Sequence, residues 1–571
     1  MRKIYGLGLS PGIVIGKVLI LKNNLLGDPE HTISKNKINS EIERFLSAKK
    51  EAEKEILKKQ EELKETAGNK YADIFYFHLS LLNDPFFIEK TKDIITKELV
   101  NTETALKKVL ENISYEFKKS SEDLMKDKRI DMSDVIERII VKLKKTDVMK
   151  IKKQKEEIIV AHDLAPSQTV SLDKKYVIGF ITEVGSVTSH TAILAKALEI
   201  PAIVAKEKVT ELLQNGDSVI IDTNDGIIIQ NPSASTIQKY KRKQKELVLK
   251  NRQLSFLKNL LGKTKDGRNI KLQANIELPE EIETAEKYGA EGIGLYRTEY
   301  LYLNRKDLPC EEEQFLAYKK VCGKTQENDI IIRTLDIGGD KFLSKSPYPK
   351  ELNPFLGWRG IRFCLERLDI FETQLRAILR AAACGNLKIM FPMVSTIEEI
   401  IQSKEILQKV KKDLKKEKVD FNSDIDVGVM IEVPSAALIS YRLAKEVDFF
   451  SIGSNDLVQY TLAADRGNSK IAHLYQPCHP AVLHLIKLTI ENASKEGIWT
   501  GICGEMASIP EIACLLAGLG AVEFSMAPVA IPAVKDRLRQ FDYSYLKSVA
   551  KEIEVFDNHS DVYKYLQKKF K

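Results

Sequence analysis

Asp329-Ile330-Ile331-Ile332-Arg333-Thr334-Leu335-Asp336 is a short β-branched run that ends abruptly in an arginine, a threonine and a carboxylate. It reads as a strand over 329–335 whose far end carries charge. Outward from it the pattern repeats. Strand-like segments at 269–275, 291–297, 387–392, 426–432, 448–452, 498–503 and 523–526 alternate with helical ones, among them 278–288, 311–320, 371–383, 395–415 and 482–496. Eight such strands with helices between them are the pattern of a (β/α)8 barrel of the TIM type; a doubly wound sheet also satisfies the count.

A barrel places its chemistry where strands end and loops begin. The second strand ends in Arg297-Thr298-Glu299, the fifth in Glu432-Val433-Pro434, the sixth in Gly453-Ser454-Asn455-Asp456 and the seventh in Cys503-Gly504-Glu505. Arg297, Arg333, Arg359 and Arg466 suit a small polyanion, because guanidinium forks match phosphate and carboxylate oxygens in two-point contacts. Glu432 and Asp456, on neighbouring strands, form the sparse carboxylate set that Mg²⁺ accepts when substrate oxygens and water complete its shell. Salt bridges to those same arginines are the ordinary alternative. Cys503 is either a buried structural thiol or, beside cations, an acid or base.

Upstream the organisation changes. Residues 1–20 read as strand, turn, strand, and 33–146 as long amphipathic helices in which Ile38, Ile42, Phe45, Ala52 and Ile56 keep a helical beat. Strand-like sequence returns at 157–161, 176–181, 201–205 and 217–222, so 150–232 reads as a small mixed α/β domain with the helical block inserted near its start. A charged helical connector follows over 233–262. The small domain carries Gly185-Ser186-Val187-Thr188-Ser189-His190-Thr191-Ala192-Ile193-Leu194-Ala195-Lys196. A neutral imidazole is nucleophilic near physiological pH and can accept and pass on a phosphoryl group, with Thr188, Ser189 and a helix start to receive the phosphate. A capping Ser/Thr cluster beside an idle histidine is the plainer alternative.

Composition narrows the class. The net charge of +7, from 88 basic and 81 acidic residues in 571, is mild and gives no argument for nucleic acid. Seven cysteines without a CxxC pair fit reduced thiols in a cytoplasmic protein better than a disulfide framework or zinc site. No apolar run is long enough for a signal peptide or a membrane span.

Together these motifs resemble Enzyme I, the phosphoenolpyruvate–protein phosphotransferase family that starts the bacterial sugar phosphotransferase system. The resemblance is carried by Leu164-Ala165-Pro166-Ser167-Gln168-Thr169, the His190 run, Gly292-Ile293-Gly294-Leu295-Tyr296-Arg297-Thr298-Glu299 and Arg333-Thr334-Leu335-Asp336-Ile337-Gly338-Gly339-Asp340-Lys341. Asn353-Pro354-Phe355-Leu356-Gly357-Trp358-Arg359, Gly453-Ser454-Asn455-Asp456-Leu457 and Asp465-Arg466-Gly467-Asn468 extend it. It runs from Ser10-Pro11-Gly12 to the end of the barrel, in matching order.

The resemblance implies an α/β multidomain protein: a swivelling phosphohistidine domain (1–32 and 147–232), an inserted all-α domain that docks the carrier HPr (33–146), a linker (233–262) and a phosphoenolpyruvate-binding, dimerising (β/α)8 barrel (263–571). It implies that His190 accepts phosphate with Thr169 near its imidazole. Arg297, Arg333, Arg466 and Asn455 would grip phosphoenolpyruvate with Arg359 and Lys341 close by, Glu432 and Asp456 would hold Mg²⁺, and Cys503 would protonate the enolate carbon as pyruvate forms. One histidine must serve both the barrel and HPr, so its domain is expected to swivel about the connector. Ser186 and Lys196 depart from the usual glycine and arginine, with a reduced rate or altered carrier contact as the expected limit of their effect. A related dikinase would need an ATP-binding domain of several hundred residues, where only about 150 precede the His190 domain. A catalytically silent adapter would be expected to lack His190, Cys503 or a metal carboxylate.

Overall fold

The computed structural model describes residues 1–10, 12–21, 31–67, 75, 78–118, 123–144, 156–162, 176–184, 200–302, 307–325, 328–338, 351, 353–466, 468 and 470–570. These form two compact units, Met1–Leu249 and Lys250–Lys571.

In the first unit seven strands close into a small mixed barrel: β1 (Arg2–Ser10), β2 (Ile13–Ile20), β3 (Glu157–Ala161), β4 (Val177–Thr182), β5 (Ala202–Ala205), β6 (Ser218–Asp222) and β7 (Ile227–Gln230), in the order β1-β5-β4-β3-β2-β6-β7. The first two strands do not pair with each other. Instead β1 runs antiparallel to β5 and β7, while β2 pairs with β3 and β6. The last strand was not anticipated, although Asp225-Gly226 before three isoleucines is a hairpin signature. Gly226 has φ +65°, and a Cβ there would sit 2.6 Å from the Gly6 carbonyl oxygen, so the turn requires glycine.

Between β2 and β3 the chain forms helices Ile38–Ala67, Pro85–Glu98, Thr102–Lys118 and Asp123–Lys144. Phe45, Ala48, Ala52 and Ile56 face their own core with Ile136, Ile139 and Ile140, as the helical spacing predicts. The Asp84 side chain accepts the Phe86 N–H and Pro85 occupies the first turn, which fixes where the second of these helices begins. Helix Ala234–Ser255 leads into the second unit.

The second unit is a closed eight-stranded barrel: β8 (Lys271–Ile276), β9 (Ile293–Arg297), β10 (Ile330–Arg333), β11 (Leu387–Phe391), β12 (Val427–Ile431), β13 (Phe449–Ile452), β14 (Trp499–Cys503) and β15 (Glu523–Met526). Every pairing is parallel. All eight coincide with the strands read from the sequence to within a few residues, and the doubly wound alternative is excluded by closure of β15 on β8. Alternate residues point inward. Leu295, Ile331, Met390, Met430, Phe449 and Cys503 fill the barrel's middle, and Phe449 stacks on Trp499 with ring centroids 4.6 Å apart.

Gly428 makes room for that stack. A Cβ at this position would lie 2.4 Å from two ring atoms of Phe449, which Trp499 holds in place. Gly428→Ala is expected to cost about 1–3 kcal/mol through overpacking. Urea denaturation would show it as a lower midpoint with an unchanged slope.

At the end of the barrel where the strands begin, Glu523 is fully buried among Lys271, Asp329 and Lys388. Burial first, and Asp329 second, push its carboxyl up to about 8, against the pull of the two lysines. A carboxyl raised in the folded state binds more protons there than in the unfolded chain, so it makes stability fall as pH rises from about 4.5 to about 8. Glu523→Gln should remove that decline. Chemical denaturation at pH 4, 6 and 9 would then show a shallower loss for the variant across this window, and an equal slope would contradict the assignment.

Among the described residues no helix is long and apolar enough to cross a membrane.

Candidate active site

Because every strand of the second barrel runs the same way, Arg297, Arg333, Glu432, Gly453 and Cys503 arrive together at the end where the strands finish. Arg297 and Arg333 are direct partners in the β9–β10 register. Glu432 follows β12 and the helix Ser454–Leu462 follows β13, placing Asn455 and Asp456 just beyond the strand that neighbours the one bearing Glu432.

Asp336 organises the arginines. It meets Arg333 Nη1 at 2.9 Å and takes a two-point contact from Arg359, Nε at 3.1 Å and Nη2 at 2.8 Å. Arg333 also donates to Glu299 at 2.8 Å, and Arg359 to Asp456 at 3.1 Å and to the Tyr460 hydroxyl at 3.3 Å. The Tyr460 hydroxyl in turn donates to the Phe355 carbonyl, tying the 353–359 loop to the helix that bears Asp456. Both guanidinium groups are buried, yet the surrounding carboxylates hold their pKa values well above the ordinary arginine value. Arg333 Nε is buried without a protein partner, leaving one donor for an incoming oxygen.

Glu432 is differently placed. One oxygen accepts the Met393 N–H at 2.7 Å, and a Cβ at Gly453 would sit 2.8 Å from the other. Burial, then Asp336 and Asp456, push its carboxyl well above the usual carboxylate range in spite of Arg333 and Arg359. Glu432 and Asp456 stand at the ends of neighbouring strands, and two hard carboxylate donors are the kind of sparse set that Mg²⁺ accepts, so the pair fits that ion. Among the described residues no set of three His, Cys, Asp or Glu side chains forms a cage by itself. Asp456 is also ion-paired with Arg359, so the salt-bridge alternative is realised at that carboxylate. Met393 adopts φ +58°, rare for a side chain of this size, and its N–H is thereby aimed at Glu432.

Cys503 lies beneath this cluster, 4% exposed. Burial is the main reason its thiol is pushed up to about 11, so it is neutral at physiological pH and able to donate a proton. Arg297 is half-exposed, with Nη1 3.1 Å from Glu277 Oε1. The Asn455 side-chain oxygen accepts the Glu505 N–H at 2.9 Å, and Arg466 is exposed beyond the end of the Ser454–Leu462 helix, its N–H on Gln459 Oε1. Thus the rim gathers Arg297, Arg333, Arg359, Glu432, Asn455, Asp456 and Cys503, with Arg466 at its edge. His190, Thr169, Thr188, Ser189 and Lys341 lie outside the described residues.

Four participants were not singled out from sequence. Glu299 and Asp336 stand inside the quoted strand-end motifs, and their position there was the available signal. Tyr460 sits four residues after Asp456 on one helix face, a weaker hint. Nothing in the sequence marks Met393.

Three family models match in succession: PEP-utilising enzyme, N-terminal over 5–128, its mobile domain over 153–226, and its PEP-binding domain over 251–543. A phosphoenolpyruvate-protein phosphotransferase of Priestia megaterium is 44% identical over 94% of this chain and 94% of its own. That of Bacillus subtilis (strain 168) is 42% identical over the whole of both chains. This chain belongs to the phosphoenolpyruvate-protein phosphotransferases. The Haemophilus influenzae member is 42% identical over 96% of this chain and 95% of its own. A solution NMR structure of Enzyme I is 36% identical, covering 43% of this chain and 99% of its own at a TM-score of 0.36. The PEP-binding domain model of PEP-utilising enzymes spans the entire rim, from Arg297 to Cys503, and the mobile-domain model spans residue 190.

Proposed function

We infer that this protein transfers the phosphoryl group of phosphoenolpyruvate to its own His190, releasing pyruvate, and then to the histidine of the carrier protein HPr, the first step of the sugar phosphotransferase system. The observation that carries this reading is the buried rim of arginines and carboxylates above a neutral thiol, in a chain of this family. Phosphoryl transfer asks mainly for positioning and for neutralisation of charge. Arg297, Arg333, Arg466 and Asn455 grip phosphoenolpyruvate, with Arg359 and Lys341 beside them. Bound by Glu432 and Asp456, Mg²⁺ would neutralise phosphate and carboxylate oxygens of the substrate. Cys503 gives its proton to the methylene carbon of the enolate. Thr169 steadies the His190 imidazole, and Thr188 and Ser189 flank it.

The division of labour follows the chain. Residues 1–32 and 147–232 form the phosphohistidine domain, 33–146 the HPr-docking domain, 233–262 the linker and 263–571 the barrel, through which a homodimer forms in the cytoplasm. His190 reaches both partners by swivelling of its domain. A cross-link that fixes this domain to the helical block should abolish phosphorylation by phosphoenolpyruvate, and undiminished phosphorylation would contradict the swivel.

The whole reading is tested by incubating the protein with radiolabelled phosphoenolpyruvate and Mg²⁺ and then adding HPr. Label that moves to HPr with stoichiometric pyruvate is the expected result. Label that forms and never leaves the protein would defeat the assignment of HPr as acceptor.

A further inference from the structure

One buried hydroxyl meets the Cys503 sulfur inside the barrel. Ser451, 1% exposed, projects from β13 between Met430 of β12 and Gly501 of β14, its neighbours in register. Leu295, Ile331, Met390, Met430 and Phe449 pack with Cys503 in one apolar cluster. A buried hydroxyl is costly there unless it makes a good hydrogen bond. Its Oγ–H donates to Cys503 Sγ at 3.0 Å, and the cysteine's own S–H has the Ile452 carbonyl at 3.7 Å. Consecutive residues of β13 therefore hold the sulfur from two sides.

A neutral thiol sulfur is a weak acceptor, so this contact satisfies Ser451 poorly while Cys503 keeps its proton. Once the proton has gone the same contact is charge-assisted and about twice as strong. An interaction that strengthens as the proton departs lowers the barrier to its transfer and leaves substrate binding unchanged.

We propose that Ser451 is a positioning residue for the protonation step: its hydroxyl holds Cys503 Sγ and stabilises the thiolate that remains when this sulfur protonates the methylene carbon of enolpyruvate. The inference rests on the role proposed above for Cys503. In the step the S–H bond breaks and a C–H bond forms at the methylene carbon. The enolate supplies the electron pair for the new bond while its oxygen becomes the ketone of pyruvate. Sulfur retains the S–H pair as a thiolate, hydrogen-bonded by Ser451, and regains a proton from water after pyruvate leaves.

A double-mutant cycle on the full-length protein with phosphoenolpyruvate, Mg²⁺ and HPr tests this, reading steady-state pyruvate release. Ser451→Ala should lower kcat about tenfold, equivalent to about 1.4 kcal/mol, with KM for phosphoenolpyruvate unchanged. Ser451→Thr, which keeps a hydroxyl, should recover most of that loss. In a Cys503→Ala background Ser451→Ala should cause no further loss, because the group it serves is gone. Equal losses in both backgrounds, or a raised KM in place of a lowered kcat, would overturn the proposal and leave Ser451 with a packing role. A Cys503→Ala single variant that turns over like the wild type would instead defeat the reading of Cys503 itself.

Discussion

Arg333→Ala is expected to lower kcat/KM for phosphoenolpyruvate by about 10³- to 10⁵-fold, the range over which an arginine that stabilises a transferring phosphoryl group acts. The same change should destabilise the barrel by about 3–5 kcal/mol, because it leaves buried partners of a charge pair uncompensated. Glu299 loses its cation, Asp336 keeps only Arg359, and Glu432 loses one of the two arginines that restrain its raised pKa. Arg333→Lys separates the two effects. Lysine keeps the positive charge and so restores much of the stability, but its single ammonium cannot reproduce the fork that meets Glu299 and Asp336 and leaves Nε for the proposed substrate oxygen. Thermal unfolding and pyruvate release measured side by side on both variants would check this. Wild-type turnover in a folded Arg333→Ala protein would remove Arg333 from the substrate grip.

Cys503→Ala should slow pyruvate formation by about 10²- to 10⁴-fold, the usual worth of a general acid, while phosphoenolpyruvate still binds. The thiol is pushed up to about 11, so essentially all of it carries a proton at neutral pH. Its acidity is modest, but an enolate carbon, the acceptor proposed for it, is a strong base. Loss of the small Sγ from a buried position should disturb the fold little by comparison. Calorimetric binding of phosphoenolpyruvate, set beside the rate of pyruvate release, distinguishes the outcomes. Loss of binding with an unchanged rate constant for the bound complex would place Cys503 in packing and leave the acid unidentified.

The barrel was legible because parallel strands are buried on both faces and read as short apolar runs, such as Ile330-Ile331-Ile332 and Val427-Gly428-Val429-Met430-Ile431, punctuated by polar ends. Parallel direction then gathers those ends on one rim, so Arg297, Arg333, Glu432, Asp456 and Cys503 could be grouped from spacing alone. What spacing does not encode is who holds whom. Asp336 bridges Arg333 with Arg359, 23 residues away. Tyr460 reaches a loop 105 residues upstream. Such pairings depend on rotamers and on loop paths between strands, and they leave no periodic trace. The strand Ile227–Gln230 escaped for a simpler reason: four residues after a tight turn give too short a run to stand out beside its longer partners.

The proposed transfer takes a phosphoryl group gripped at this rim to His190. Its most direct test is to label the full-length protein with radioactive phosphoenolpyruvate and Mg²⁺, digest it under alkaline conditions and sequence the labelled peptide. A single acid-labile, base-stable phosphohistidine at His190, absent from the His190→Ala variant, is the expected result. An acid-stable label, or label on a peptide without His190, would contradict it.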